Sequence, residues 1–571
     1  DYATATFADV RKYGIGSTHW DGSLPLTTNG EEITIGLRTN SKVTDYETNP
    51  YTVYLEQQTG LNLTIVEFVG SSSDVSTQLS LMMSGGEPLP DILSTETENT
   101  ERMSAYIQAG YFYNLTGYYM TDSYYFKQAI DMYCKDDPKK AFLVYNKIEN
   151  LATCQVTGYA YGPVDIFDSP TDVIQTETLI NMEWLNKLGL QKPTTVDELY
   201  DVLVAFRDRD PNGNGKKDEI PLMGLKTNSF GRDVTSYLIN AFIQYTSTRK
   251  VQIEDGKCFS IYDTNEYREA LKFMNKLIKE GLLSELAFTA NGTELQRLYN
   301  PNPGEDVTVG IACGWIGGDY MENGTNTLYM YEPLPALKDA GYGRGGYSMF
   351  GPAVTVTQRW GIPIGTPEEE VVLCWRLMDF MYTPENYLRQ RFGDRGVDWD
   401  YLENTEFKDK AEGNGTYGGT GAWIQIQRNR VQSRWFTQNT WVNDVVTQLY
   451  VDPDHPTFYS YAMKMAAENV LLQQSIGMPE ETFDVFIRTP EEEELFQEYN
   501  TELGQLVSKA LSEFCVGRRD PYSDADWNEY LKELSALKHE RWAELTQISY
   551  DRQQEQYKDF LKLWEVHHNA G

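Results

Sequence analysis

The apolar positions of the chain change period several times, and the changes mark out its elements. From Glu32 onward, Ile33, Ile35 and Leu37 alternate with other residues, the period of a strand with one buried face. Asn49-Pro50 opens a helix that Gly60 closes, and Leu61, Leu63 and Ile65 alternate as a second strand. Val75, Leu79, Met82 and Met83 follow at helical spacing, and the short run Asp91-Ile92-Leu93 comes next. Strand, helix, strand, helix, strand with short connections predicts an open parallel sheet with right-handed crossovers. Ligands bind such sheets beyond the carboxyl ends of the strands, here Arg38 to Asn40, Val69 to Ser73 and Ser94 to Glu96.

Residues 1–30 are rich in Gly, Thr and Ser and read as a lead-in segment, and the stretch from 101 to 180 is rich in Tyr. Periodicity fades near Gly158 to Pro163 and a new α/β unit begins about Leu179, so a first crossing between two lobes is expected there. Thr195 and Glu198 have the spacing of a capping box for a helix carrying Leu199, Val202, Leu203 and Phe206. Tyr267, Ala270, Leu271, Met274, Leu277 and Ile278 share one face of a helix that begins after Asp263 and stops at Gly281. Val307 to Trp315 reads as a buried strand that delivers Trp315 at its carboxyl end. The chain finishes in helices, one with Trp527, Tyr530, Leu531, Leu534 and Leu537 on a face after a cap at Asp524, the next running to His567.

One segment specifies a chemistry through its spacing. In Asp210-Pro-Asn-Gly-Asn-Gly-Lys-Lys-Asp-Glu-Ile-Pro221, Asp210, Asn212 and Asn214 fill the first, third and fifth places of an EF-hand-type calcium loop. Gly215 takes the sixth, where the chain must turn sharply; Lys216 ligates through its carbonyl at the seventh and Asp218 takes the ninth. The twelfth place, a bidentate Glu in a sensor, is Pro221, so Glu219 is expected to supply the last carboxylate. The residues after the loop do not read as a second helix. The expected ion is therefore a structural Ca2+ and not a switch; the alternative is a pair of Asn-Gly turns with no metal.

Composition narrows the class. A chain of 571 residues exceeds what one core usually serves, so two or more lobes are expected. Its 84 acidic and 49 basic residues give a net charge of −35, which argues against nucleic acid or an anionic membrane surface as partner. The six cysteines form no C-x-x-C and read as buried free thiols. His539, His567 and His568 lack metal-ligand spacing and are expected to face solvent.

The 12 Trp and 39 Tyr must fill cores or line a surface. Trp399, Tyr417, Trp423, Trp435 and Trp441 lie in Gly-rich, irregular sequence among Arg395, Arg428, Arg430 and Arg434, where fewer neighbours are available to bury them. The G-x-G-x-x-G at Gly413 to Gly418 follows a charged stretch and not a strand, so it is no dinucleotide site. The candidate ligand contacts are Asn40, Glu96, Trp315, Tyr347, Arg395, Trp399, Trp423 and Arg434. Asp394, Asp398 and Asp400 could instead be drawn as the carboxylates of a glycoside hydrolase, but pairing with Arg391 and Arg395 is the plainer reading.

With these segments placed, the chain resembles the extracellular solute-binding proteins of carbohydrate ABC importers, and more narrowly the calcium-containing Gram-positive lipoproteins related to alginate-binding proteins. The resemblance is carried by Gln78 to Ile92 (QLSLMMSGGEPLPDI), Glu183 to Glu198 (EWLNKLGLQKPTTVDE), the calcium loop, Leu277 to Leu282 (LIKEGL) and Arg376 to Glu385 (RLMDFMYTPE). It implies an α/β, periplasmic-binding-protein-like fold of two lobes with hinge crossings and a helical C-terminal region. The expected division is a lead-in over 1–30, lobe 1 over 31–160 and 305–385, lobe 2 over 161–304 and 386–520, and terminal helices over 521–571. The implied protein is a monomeric cell-surface receptor, not an enzyme, that captures an oligosaccharide between the lobes and delivers it to permease subunits. Its lipid anchor would precede Asp1. In that family the loop positions Asp210, Asn212, Asn214, Lys216, Asp218 and Glu219 bind calcium. The alternatives are a secreted glycoside hydrolase and a receptor for a non-sugar solute such as a peptide.

Overall fold

The structure, a computed structural model, describes all of the chain except residues 1–4, 41–42, 99, 135–136, 155–158, 161–163, 169–176, 227–230, 246–249, 317, 349–354, 359, 411–420, 427–434, 436–441, 444–447, 453, 455–457, 478, 480, 482–487 and 570–571. The chain divides into two compact units. The first comprises residues 1–169, 353–452 and 556–571, and the second residues 170–352 and 453–555.

The first unit is organised on the predicted parallel sheet. Strand Glu32–Arg38 lies between Asn62–Phe68 and Ile92–Ser94, parallel to both, with Ile33 opposite Leu63 and Ile35 opposite Ile92. Trp360–Gly361 adds an antiparallel edge. The connecting helices begin and end where the sequence marks them. Asn49 caps Pro50–Thr59 by accepting the Tyr51 N–H, and Gly60 ends it in the left-handed region; Ser71 and Asp74 form a reciprocal capping box on Ser72–Gly85. Val75, Leu79 and Met83 bury against Phe68 and Leu93, which closes one face of the sheet.

The second unit has its own four-stranded sheet in the order Tyr331–Pro333, Thr178–Asn181, Val309–Cys313, Ile220–Met223. Val309–Cys313 runs parallel to Ile220–Met223 and antiparallel to Thr178–Asn181, and every residue of it is buried. Helix Asn265–Lys279, capped by Thr264, buries the six predicted apolar residues in the core. Helix Val196–Asp208 is capped by Thr195, which accepts the Glu198 N–H. The predicted capping box is only half present at Thr195, because the Glu198 carboxylate returns to the backbone and hydroxyl of Thr194.

The division differs from the expected one because long-range strand pairing decides it. Residues 305–352 belong to the second unit, since Val309–Cys313 is an inner strand of its sheet. Residues 386–452 belong to the first, where Asn386 and Gln390 hydrogen-bond the Tyr51 hydroxyl at 3.0 and 2.7 Å. The C-terminal helices are no separate layer: Trp527, Tyr530 and Leu534 enter the second unit's core, while Phe560 packs on Phe142 of the first. Ser523, not Asp524, caps the first of them. His539 is buried and stacked on Trp542, against the expectation of a solvent-facing ring; His567 and His568 lie in the last turns of helix His539–Asn569. Cys134, Cys258, Cys313, Cys374 and Cys515 are free thiols, all buried except the half-buried Cys258.

Candidate functional site

The loop after helix Val196–Asp208 is wound by its own side chains. Asp210, at φ 46°, accepts the N–H of Gly213 (2.9 Å) and of Gly215 (3.1 Å), and Gly213 and Gly215 themselves take positive φ. Asn212 Oδ1 accepts the Asn214 N–H and Asn214 Oδ1 the Lys216 N–H, so each alternate side chain turns inward over the next peptide. The amides of Asn212 and Asn214 then converge on the Asp218 carboxylate at 3.0 and 3.1 Å. These donors hold the Asp218 carboxyl below its ordinary range, although burial pushes the other way.

Glu219 has the opposite environment. Burial raises its pKa and Asp218 and Asp210 raise it further, against backbone N–H groups of Glu219 and Asp218 that lower it, and among the described residues its Oε1 is buried with no hydrogen-bond partner. A carboxylate oxygen left in that state lacks the positive charge or donors that would offset its desolvation. Asp306, which local spacing could not associate with the loop, reaches it from across the unit by accepting from Asn214 Nδ2 at 3.0 Å. Among the described residues, no three His, Cys, Asp or Glu side chains form a metal cluster by themselves. The donor set here is mixed, with carboxylates, two amides and the Lys216 carbonyl, the hard oxygen ligands that suit Ca2+.

A second constellation lies at the carboxyl end of Val309–Cys313. Gly314 and Trp315 leave the sheet there, and the turn is fixed by two buried acids. Asp319 accepts the Trp315 N–H at 2.8 Å and Arg232 Nε at 2.7 Å, while Glu177 accepts the Ile316 N–H. Gln296 Nε2 adds a further donor to Asp319 at 3.2 Å. The Asp319 side chain is fully buried and that of Arg232 nearly so. A Cβ at Gly314 would meet the Tyr299 ring at 2.7 Å, and one at Gly318 would meet the Trp315 ring at 2.2 Å, so Gly318 lets the indole lie on the backbone and Gly314 does the same for Tyr299. Trp315 remains half-buried. Asp319 four residues beyond Trp315 in a Gly-rich turn is the signal that sequence reading passed over; Arg232 and Glu177 have no local signal.

The other candidates are dispersed. Asn40 and Glu96 lie beyond the carboxyl ends of the first unit's strands, both half-buried, with Glu96 3.4 Å from Arg38 and the Asn40 N–H donated to Tyr46. Tyr347 is half-buried in the second unit, its carbonyl accepting from Asn240 at 2.7 Å. Arg395 is engaged by Glu385 and Asp400, both at 3.2 Å, and lies over the Tyr401 ring. Arg434 falls outside the described residues, as do Tyr417, Trp441, Arg428, Arg430 and the Gly413 to Gly418 motif.

Trp399 and Trp423 correct the expectation of a ligand platform. Both are fully buried, perpendicular to each other at 6.3 Å, with Trp423 on Phe392 and the Trp399 indole N–H donated to the Gly393 carbonyl. The cause is strand pairing that the Gly-rich sequence conceals: Trp399–Tyr401 pairs with Trp423–Gln425, and the two rings close over helix Pro384–Phe392. Trp435 is likewise core, edge-on to Tyr51 and bonded to Thr52. The acids that could have served a hydrolase are occupied. Asp394 is paired with Arg389 at 2.8 Å, Asp400 with Arg395, and Asp398 is buried and accepts the Asp394 N–H.

Two α/β units, each on its own sheet and joined by four passages of the chain, are the two-lobed periplasmic-binding-protein fold. Residues 41–388 match the model of the bacterial extracellular solute-binding protein family, and the chain belongs to that family. It is 35% identical over 159 residues to the fructooligosaccharide ABC transporter substrate-binding protein FusA of Streptococcus pneumoniae, a segment covering 28% of each chain. It is 26% identical over 270 residues to lipoprotein LipO of Bacillus subtilis, covering 47% of this chain and 48% of LipO. The matched segments thus span about half or less of these relatives. Among solved structures, a human-milk-oligosaccharide (HMO)-binding, ABC-transporter-associated solute-binding protein of Bifidobacterium longum infantis superposes with a TM-score of 0.65 at 18% identity, over 92% of this chain and 99% of that one. An EF-hand mutant of FusA with fructo-nystose superposes with a TM-score of 0.59 at 19% identity, over 92% and 100%.

Proposed function

We propose that this protein is the ligand-capturing receptor of a carbohydrate ABC importer, taking up an oligosaccharide and delivering it to the permease without transforming it. The observation that carries the reading is Trp315, a half-buried residue whose turn is fixed by Asp319 and Glu177 at the carboxyl end of an inner strand. A sugar ring offers an apolar C–H face that stacks on such a ring, and a platform held by a hydrogen-bonded turn loses little entropy on binding. The oligosaccharide ligands named for FusA and for the Bifidobacterium protein support the same class. Pairing of Asp394 and Asp400 with arginines supports a receptor over a hydrolase. Asn40, Glu96 and Tyr347 are assigned to the same ligand as polar contacts.

The 210–219 loop is assigned a structural Ca2+. Asp210, Asn212, Asn214, Asp218 and Glu219 would hold it through side-chain oxygens and Lys216 through its carbonyl, and the cation would offset the three clustered carboxylates. Support comes from Glu219 Oε1, buried and without a hydrogen-bond partner among the described residues. The receptor is placed at the outer cell surface as a monomer, tethered by a lipid anchor upstream of Asp1, consistent with the extracellular family and the lipoprotein relative. A glycan panel tests the central reading, with thermal stabilisation and glycan integrity scored on the same samples.

A further inference from the structure

Helix Pro490–Cys515 buries Leu503, Val507, Ala510, Leu511 and Phe514 in the core of the second unit. Its other side, with Gly504, Ser508 and Ser512, walls an open pocket of about 840 Å3 that is also lined by Lys226, Phe288 and Arg518. That volume suits a small molecule. All of these residues belong to the second unit.

Its charge runs against the chain's. The protein carries −35 overall, yet this concavity holds three cations, Lys226, Lys509 and Arg518, and one acid, Glu513. Glu513 is already taken by Arg519 at 2.7 Å, with Lys509 at 3.8 Å. Among the described residues, the Lys226 ammonium meets only the Ser512 hydroxyl, at 2.9 Å, and the Arg518 guanidinium meets no carboxylate. Cations without counter-ions in a concave surface concentrate anions. Gly504 points the same way. It sits inside a 26-residue helix, where glycine is the least favourable residue after proline, and nothing stands within 4 Å of where its Cβ would be. Packing does not require a glycine there; its absent side chain keeps the wall open.

We propose that this cavity is a second ligand site, taking a small hydroxylated anion such as a sugar acid or sugar phosphate. Lys226 and Arg518 pair with the anionic group, the Ser508 and Thr501 hydroxyls and the Gln505 amide bond the ligand's hydroxyls, and the half-buried Phe288 ring faces its C–H surface. The test is calorimetric titration of the full chain with galacturonate, glucose 6-phosphate and neutral galactose at low salt. One of the two anions binds at 1:1 and galactose does not, and which anion binds identifies carboxylate or phosphate as the recognised group. Lys226→Gln and Gly504→Leu each weaken that binding at least tenfold, and Gly504→Leu does so with an unchanged or higher melting temperature, because leucine favours the helix. Absence of heat with both anions, equal binding of galactose, or binding that survives both variants overturns the proposal. Gly504→Leu, which improves the helix, decides the matter even where Lys226→Gln fails to fold.

Discussion

Asp319 accepts Arg232 Nε at 2.7 Å in a buried ion pair, and the same carboxylate accepts the backbone N–H of Trp315. The pair therefore couples the strand end to the placement of the indole. Removing one partner of a buried pair leaves the other charge uncompensated, a loss of about 3–5 kcal/mol. Asp319→Ala is expected to lower the denaturant midpoint by an amount of that order and to weaken sugar binding along with it. Full stability in that variant would show that the pair does not brace the turn.

Trp315→Ala separates binding from folding. Truncating a half-buried indole that stacks on the ligand is expected to cost about 1–3 kcal/mol in binding, roughly 5- to 150-fold in affinity, with little change in melting temperature. Trp399→Ala and Trp423→Ala are expected to do the reverse, losing about 3–5 kcal/mol of stability as core truncations. Melting temperature and affinity measured on all three variants check the assignment. Weakened binding by Trp399→Ala at unchanged stability would return that ring to the ligand.

These rings also show where the sequence was legible. The strand Glu32–Arg38, its neighbours and the capped helices between them are written in local period and cap residues, and the turns of the 210–219 loop in the spacing of its Asp, Asn and Gly residues. Trp399 and Trp423 were not readable, because their burial depends on a pairing across more than twenty residues of Gly-rich chain. The unit boundaries failed for the same reason: Val309–Cys313 joins the second sheet through partners about 90 and 130 residues upstream. Arg232 and Glu177, which hold Trp315, come to it only through the fold.

The calcium assignment is checked by chelation. A ligand that binds only the folded state stabilises it by mass action, so EGTA is expected to lower the melting temperature and added Ca2+ to restore it. Asp210→Ala, which removes both a donor and the acceptor of two loop N–H groups, is expected to abolish the response. A melting temperature indifferent to EGTA, with no calcium by elemental analysis, would leave the loop as turns alone.

Asp379 gives a pH dependence with a definite sign. It is buried, accepts the N–H groups of Tyr125 and Phe126, and burial pushes its carboxyl up to about 8. A carboxyl that ionises later in the folded state than in the unfolded one binds the extra proton when folded, so its contribution to stability falls as pH rises from about 4 to 8 and is level above that. The carboxyl 13C shift of Asp379 followed through this range should move near pH 8; a midpoint near 4 would contradict the assignment.

The most direct measurement is incubation of the protein with a panel of oligosaccharides, following melting temperature and, by mass spectrometry, the glycans themselves. A receptor is expected to be stabilised by at least one oligosaccharide whose mass is unchanged after prolonged incubation, with the stabilisation lost in Trp315→Ala. Shortened glycans would identify a hydrolase, and stabilisation by none of the panel would contradict an oligosaccharide ligand.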